Sequence, residues 1–206
     1  MALFKPAKSE GGGDWLGFKE MGIESITDKS SMFDWADVYL EFDLKVSGSK
    51  YSRKMYLSGS FDRELDGNLK ESSLLKRLYH LFDVLGFEGG VNIKGDFEDS
   101  NGNKITDIAQ VLTDKYTPEF PEDPKMNLIG YVYREAPRKG GNGKVYTRVH
   151  HYIQNNTNEG IAALKDRIKF LQSKALIKEA TEEQINGAVL NNNVAADVEG
   201  STVSQL

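Results

Sequence analysis

Aromatic and cationic side chains alternate between residues 128 and 153, and this segment is the part of the chain best suited to bind a ligand. It is predicted to form two strands, 128–135 and 145–153, and successive side chains of a strand point to opposite faces. Each strand therefore presents one polar, aromatic face. If the two faces lie side by side, they form a single surface of six residues: Tyr131, Tyr133, Tyr146, Arg148, His150 and Tyr152.

A surface of this composition suits single-stranded nucleic acid. Bases stack on aromatic rings, each contributing roughly 1–3 kcal/mol, while cations contact the phosphates. A glycine-rich loop between the strands adds positive charge. The predicted nucleic-acid-binding set therefore also includes Arg134, Arg138, Lys139 and Lys144. The alternative is that the tyrosines, which are common in strands, pack against a flanking helix.

No arrangement of residues in the sequence predicts catalysis. The chain has no cysteine and three histidines, and it lacks a phosphate-binding loop, a nucleophile elbow and a zinc-protease helix motif. His150 and His151 are adjacent on a strand, so they point to opposite faces and cannot chelate a metal ion together. Asp96, Glu98 and Asp99 lack the spacing of a calcium loop and are predicted to lie in a solvated turn. We expect no catalytic residue, no metal and no cofactor.

The net charge of −5 is unevenly distributed along the chain. Residues 125–178 carry 11 Lys and Arg against 3 Asp and Glu, a net charge of +8. Residues 1–124 carry 15 against 23, or −8, and residues 179–206 carry five acids and no base, or −5. A basic block before an acidic end predicts a polyanion-binding surface beside a tail that could compete for it. The alternative is chance clustering of charge on solvated faces.

The clearest secondary-structure pattern is an antiparallel hairpin. Apolar side chains occupy the even positions from 36 to 46, which predicts a long strand with one buried face. A turn follows at 47–49, and a second strand is predicted over 51–61.

Apolar residues at helical spacing predict three helices. The first covers 74–85, with Ser72 or Ser73 as its N-cap and Gly86 at its C-terminal end. A short second helix follows Thr106. The third helix is predicted over 159–178, where one apolar stripe recurs along the segment.

Two antiparallel hairpins separated by a helical insertion fit a five-stranded barrel of the oligonucleotide-binding (OB) type. We therefore predict a mainly β fold with helices, built around an antiparallel OB-like β-barrel. An open α+β sheet would satisfy the same pattern. The predicted parts are a flexible N-terminal arm (1–31), the barrel (32–155), a C-terminal helix (156–178) and an acidic, disordered tail (179–206).

The same segments resemble small bacteriophage proteins of replication and recombination modules. The resemblance covers roughly residues 33–155. Three segments carry it: the hairpin 35–61; the segment 74–90, which ends in Leu-Gly-Phe-Glu-Gly-Gly; and the segment 128–153, which contains Gly-Tyr-Val-Tyr-Arg-Glu and Lys-Val-Tyr-Thr-Arg-Val. It implies a sequence-tolerant single-stranded DNA-binding protein with an OB-type barrel, whose acidic tail recruits replication or recombination enzymes. Two other classes stay open: a structural or assembly protein of a virion, and an accessory subunit of a replication enzyme.

Neither a secretory signal pattern nor an apolar run of about 18 residues is present in the sequence. We therefore expect a soluble protein without a membrane partner. The resemblance to phage proteins implies the host cytoplasm as its location.

Overall fold

The computed structural model describes residues 16–116, 124–137 and 143–187. Its strands are β1 (Gly17–Asp28), β2 (Val38–Val46), β3 (Arg53–Gly59), β4 (Gly90–Val91), β5 (Phe97–Glu98), β6 (Lys104–Ile105), β7 (Leu128–Glu135), β8 (Tyr146–Val149) and β9 (Gln154–Asn155). Its α-helices are α1 (Ser73–Leu85), α2 (Ile108–Tyr116) and α3 (Asn158–Ser173). The large sheet is antiparallel and has the order β3–β2–β1–β7–β8, with β9 also paired to β7; β4, β5 and β6 form a small second sheet.

The predicted hairpin at 36–61 is confirmed as β2 and β3. Leu40 pairs with Leu57 and Phe42 pairs with Met55, and all four side chains are buried. The even positions of β2 face the core, as the alternation predicts. Its odd positions therefore face outward.

β1 corrects the predicted flexible arm at 1–31, because it lies in the middle of the sheet between β2 and β7. A bulge between Ile23 and Ser25 shifts its alternation by one residue. Met21 and Ile23 before the bulge and Ile26 after it are consequently all buried in the core. Because of this shift, the apolar residues of β1 do not follow a strict period-two alternation, and the sequence pattern does not predict the strand. The first 15 residues of the arm lie outside the described part of the chain.

The helices α1 and α2 confirm the two predicted helices of the insertion. The Ser72 hydroxyl caps α1 by accepting a hydrogen bond from Leu75 N, and Gly86 ends it in the left-handed conformation with φ of 66°. The apolar face of α1, including Phe82, packs on the core face of the large sheet, and Leu112 of α2 joins the same core.

The large sheet curls so that its two outer strands, β3 and β8, approach each other. The Arg148 guanidinium of β8 lies over the Tyr56 ring of β3, 5.3 Å from the ring centroid. No backbone ladder joins the two strands among the described residues, so the sheet does not close into a barrel there. A mainly β, antiparallel architecture with helices is confirmed, whereas barrel closure is not.

α3 packs on the face of β7 that points away from the main core. Leu164 and Ile168 of α3 are buried there against Ile129 of β7 in a second, smaller apolar cluster. α3 ends at Ser173 and not at 178, because Ala175 adopts a left-handed backbone conformation with φ of 52° and turns the chain back.

The start of the predicted disordered tail docks on β7. Glu179 forms a backbone bridge with Glu135, and Ala180 N donates to Arg134 O at 2.8 Å. Residues 182–187 are helical. The prediction of disorder is therefore wrong for residues 179–187, and the rest of the tail lies outside the described residues.

Candidate nucleic-acid interface

The polar faces of β7 and β8 coincide, as their alternation predicts. Tyr133 lies directly opposite Arg148, and Glu135 lies opposite Tyr146. The valines of the two strands pair on the other face and are buried in the core. The two strands therefore present one continuous outer face.

α3 covers one end of this outer face. Tyr131, Tyr133 and Tyr152 are half-buried and pack against the apolar cluster beneath α3. The Tyr131 hydroxyl donates to Glu179 Oε1 at 2.8 Å and accepts from Gln172 Nε2 at 3.1 Å. Burial and the neighbouring Glu179 raise the pKa of Tyr131 to about 12. None of the three is the exposed ring that the sequence predicts. Tyr131 and Tyr152 pack under the apolar stripe of α3, whereas Tyr133 contacts the same cluster and also borders a cleft that stays open.

His150 is buried at the covered end, with only 8% of its surface exposed. Its Nδ1 accepts a hydrogen bond from Tyr152 N at 3.1 Å. Burial, assisted by the charge of Arg167, lowers the pKa of His150 to about 4. His150 is consequently neutral near pH 7 and does not supply the cation for phosphate contact that the sequence predicts.

Tyr146 and Arg148 form the uncovered end of the outer face. The Arg148 guanidinium lies between two rings, 5.1 Å from the Tyr146 centroid and 5.3 Å from the Tyr56 centroid. Arg148 Nε donates to Glu135 Oε2 at 3.1 Å. These contacts hold the guanidinium plane among aromatic faces, a geometry that favours cation–π contact and stacking.

An aromatic row that the sequence did not predict continues from Tyr56. Tyr56 meets Tyr39 edge-on at a centroid distance of 5.9 Å, and Tyr39 stacks on Phe33 at 4.4 Å. Phe33 lies 5.7 Å from Trp35, and the Trp35 side chain is 56% exposed. The row thus runs from the connection before β2 across the outward positions of β2 and β3.

The aromatic row forms one wall of a cleft between β2–β3 and β7–β8, which we call the aromatic groove. Its volume is about 480 Å³. Its principal lining residues are Trp35, Tyr39, Tyr56, Tyr133, Arg148 and His150. Planar faces on both walls make this cleft suitable for flat, aromatic ligands.

The sequence carries a signal for part of this row. Tyr39 occupies an odd, outward position of β2 among charged residues, and Tyr56 is its near neighbour on β3. The link from Tyr56 to Arg148 depends on the curl of the sheet, and no local pattern encodes it.

Carboxylates of β2 beside the groove pair with Lys54 of β3 and with Lys29, which follows β1. The buried Glu41 contacts Lys54 and also Lys29, the latter at 2.9 Å, and Lys54 reaches Asp43 Oδ1 at 3.1 Å. Burial alone would raise the pKa of Glu41, but the hydrogen bonds and charges of Lys54 and Lys29 outweigh it and leave that pKa below its usual value. The groove itself is lined by one such pair, Arg148 and Glu135, so it is aromatic in character and close to neutral in charge.

The other predicted cations do not line the groove. Arg134 lies opposite Thr147, on the face of β7 that points away from Tyr133. Lys144 is exposed in the connection before β8. Arg138 and Lys139 lie outside the described residues.

The acidic residues in and beside the small sheet pair with lysine and asparagine side chains of the same segment. Asp96 pairs with Lys104 at 2.7 Å, and hydrogen bonds from Asn103 lower the pKa of Asp99. Within the described ranges, no group of three or more His, Asp or Glu is placed to hold a metal ion. The helices in those ranges are also too short or too polar to cross a membrane.

Comparisons of this chain with protein-family models, with curated proteins and with solved structures found no match. The function of the aromatic groove therefore has to be inferred from its own geometry.

Proposed function

We propose that this chain is a non-catalytic protein that binds single-stranded DNA with little sequence preference, within a phage replication or recombination module. One observation carries the proposal: the aromatic groove aligns Trp35, Tyr39, Tyr56 and the Arg148 guanidinium along one cleft. Every base has a π-face, so stacking on such a row is tolerant of sequence and contributes roughly 1–3 kcal/mol per base.

We further propose that the fold is an OB-type barrel left open between β3 and β8. The strand order β3–β2–β1–β7–β8 and the position of α1 between β3 and β7 support this assignment. OB-folds bind oligonucleotides on the face of their second and third strands and with two neighbouring loops. The corresponding parts here are β2, β3, the connection 29–37 that carries Trp35, and the basic connection 136–145.

The paired charges of the groove determine how binding should depend on salt. Contacts between cations and phosphates release counterions, so affinity should fall as salt rises. Arg148 is already paired with Glu135, and Lys54 with Asp43. We therefore expect a shallower salt dependence than that of a strongly basic groove. Duplex DNA should bind more weakly, because its bases are already stacked.

Fluorescence anisotropy of a labelled mixed-sequence oligonucleotide tests the proposal with the full chain. We expect saturable binding that weakens between about 50 and 200 mM salt. Trp35→Ala should weaken this binding, while the matched variant Tyr51→Ala should not, because Tyr51 is 67% exposed at the far end of the β2–β3 hairpin. A flat titration at micromolar protein would refute DNA binding. Equal losses in the two variants would refute the groove as its location.

A further inference from the structure

A second pocket lies between α1, residues 150–152 and α3, and its volume is about 260 Å³. Its charged and titratable lining residues are Lys76, Arg77, His80, His150, His151 and Arg167. They include all three histidines of the chain. No carboxylate from the described part of the chain lines this pocket. His150 and His151 also line the aromatic groove, so the two cavities adjoin.

Two arginines of the pocket form no ion pair with a carboxylate of the described residues. Arg77 donates from Nη2 to Ser58 O at 3.0 Å and from Nε to Ser73 O at 3.2 Å, and these bonds fix its guanidinium. Arg167 lies over the Tyr152 ring at 5.5 Å from the centroid. Both guanidinium groups keep further N–H donors for a ligand.

The histidine rings are held in defined orientations. His80 stacks on Tyr152 at 3.8 Å, and its Nε2 donates to Ile153 O at 2.8 Å. Because the Nδ1 of His150 accepts a hydrogen bond, its neutral ring carries the proton on Nε2. His151 stacks on His150 at 4.4 Å, and neither of its ring nitrogens bonds to a described residue. The pocket thus offers imidazole donors beside the two guanidinium groups.

Burial and neighbouring positive charge keep the histidines of the pocket neutral. Burial is the larger cause, and together with the charge of Arg167 it lowers the pKa of all three, to about 4 for His150 and about 3 for His151. Arg77 also lowers the pKa of His151, whereas Asp83 on α1 acts in the opposite direction on His80. Arg77 is half-buried, so an anion bound beside its guanidinium would be screened less by salt than one on an open surface.

Two further carboxylates lie in a neighbouring cleft. On its outer side the pocket meets a wider cleft of about 580 Å³, which the same two arginines also line. Asp62 and Glu71 lie in that cleft, and Glu71 is paired with Lys76 at 2.7 Å. The inner pocket therefore keeps its positive character.

We propose that this inner pocket binds a phosphate group in its monoester or inorganic form. Guanidinium groups match phosphate oxygens in bidentate geometry, and imidazole N–H groups can donate to the remaining oxygen. Donors that converge from three elements suit a tetrahedral group with three free oxygens. Since the second pKa of a phosphate monoester is near 6, the monoester is mostly a dianion at neutral pH, whereas inorganic phosphate is a mixture of its singly and doubly charged forms. This binding does not depend on DNA binding in the aromatic groove.

Histidine NMR of the full chain tests this site. The three Cε1–H signals are assigned by single His→Gln substitutions, and inorganic phosphate is titrated at pH 7 against sodium chloride of equal ionic strength. Phosphate should shift the His150 and His151 signals saturably and raise both pKa values, because a nearby negative charge favours the protonated ring. Chloride should do neither. The absence of a saturable shift with phosphate overturns the proposal.

A matched pair of variants separates a built site from a general charge effect. Arg167→Gln should weaken phosphate binding about tenfold, whereas Lys169→Gln should change it by less than about twofold. Lys169 is exposed two residues further along α3 and does not line the pocket. Equal losses in the two variants contradict the proposal.

Three ligands distinguish the source of the phosphate. Inorganic phosphate and thymidine 5′-monophosphate can both carry two negative charges, whereas a dinucleoside phosphate carries only a singly charged diester. Binding of inorganic phosphate alone supports a site for the free ion, and binding of the nucleotide as well supports a site for a nucleotide end. A diester that binds as tightly as the monophosphate contradicts the assignment. These titrations contain no oligonucleotide, so their failure leaves DNA binding in the groove standing.

Discussion

The outer face of the sheet has two ends that carry similar residues in different surroundings. At the covered end, Tyr131 and Tyr152 pack beneath α3, and Tyr133 lies at the boundary because it contacts the same cluster and also lines the groove. At the open end, Tyr39 and Tyr56 line the aromatic groove. Alternation along a strand identifies the residues of one face, but the element that lies over the face decides whether they stabilise the fold or remain available to a ligand.

Leu164→Ala should have the largest effect, and it should affect stability alone. Leu164 is fully buried between α3 and β7, so we expect unfolding to become easier by about 2–5 kcal/mol. Urea unfolding measures this change. The folded variant should bind an oligonucleotide as the wild type does, because α3 does not line the groove. If the folded variant binds DNA much more weakly than the wild type, the covered end also takes part in binding, which contradicts this account.

Acid should also destabilise the covered end. His150 has a pKa of about 4 in the folded protein and about 6.5 when unfolded, so the unfolded chain takes up the proton first as pH falls. The contribution of His150 to the free energy of unfolding is fully present above pH 6.5 and is lost as the pH falls toward 4. One pKa unit is worth about 1.4 kcal/mol, so we expect a loss of about 2 kcal/mol at pH 5. Urea unfolding at pH 7 and pH 5 measures the loss, and His150→Gln should reduce it. Equal wild-type stability at both values would argue against a buried, neutral His150.

At the open end, Tyr56→Ala should weaken DNA binding by about 1–3 kcal/mol, because one stacking ring is lost. Its effect on unfolding should be smaller than that of Leu164→Ala, since Tyr56 is only half-buried. Anisotropy and urea unfolding are measured on the same samples, with Tyr51→Ala as the control. Normal binding by a correctly folded Tyr56→Ala protein would remove Tyr56 from the interface.

Tyr131→Phe should have the smallest effect. It keeps the ring under α3 and removes the hydroxyl that bonds to Glu179 and Gln172, so we expect a stability loss of about 1 kcal/mol. DNA affinity should stay unchanged, since Tyr131 lies under α3 and does not line the aromatic groove. Thermal unfolding and anisotropy check the two halves of this prediction. Weaker DNA binding without a stability change would place Tyr131 in the interface instead.

Local patterns in the sequence were sufficient to predict part of this fold. The even positions of β2 predict its buried face, and the Ser72 and Gly86 signals predict the ends of α1. The shared face of Tyr133 and Arg148 was also predictable, because period-two alternation fixes it once the strands pair.

The remaining features depend on contacts between distant segments. The apolar stripe of α3 predicts that the helix packs, but it does not say that the partner is Tyr131 and its neighbours. The bulge after Ile23 interrupts the apolar alternation of β1, so the sequence predicts an irregular arm there and not a strand. The aromatic groove exists because β3 and β8 approach each other, which brings Tyr56 to Arg148 across the ends of the sheet.

Photocrosslinking measures most directly which end of the outer face meets DNA. An oligonucleotide with 5-iododeoxyuridine at several positions is bound to the full chain and irradiated, and the crosslinked peptides are identified by mass spectrometry. We expect crosslinks at Trp35, Tyr39 and Tyr56 in the aromatic groove, and only background at Tyr131 and Tyr152 beneath α3. Crosslinks confined to Tyr131 and Tyr152, or bound DNA that never crosslinks to the groove, would contradict the assignment of the open end as the binding surface.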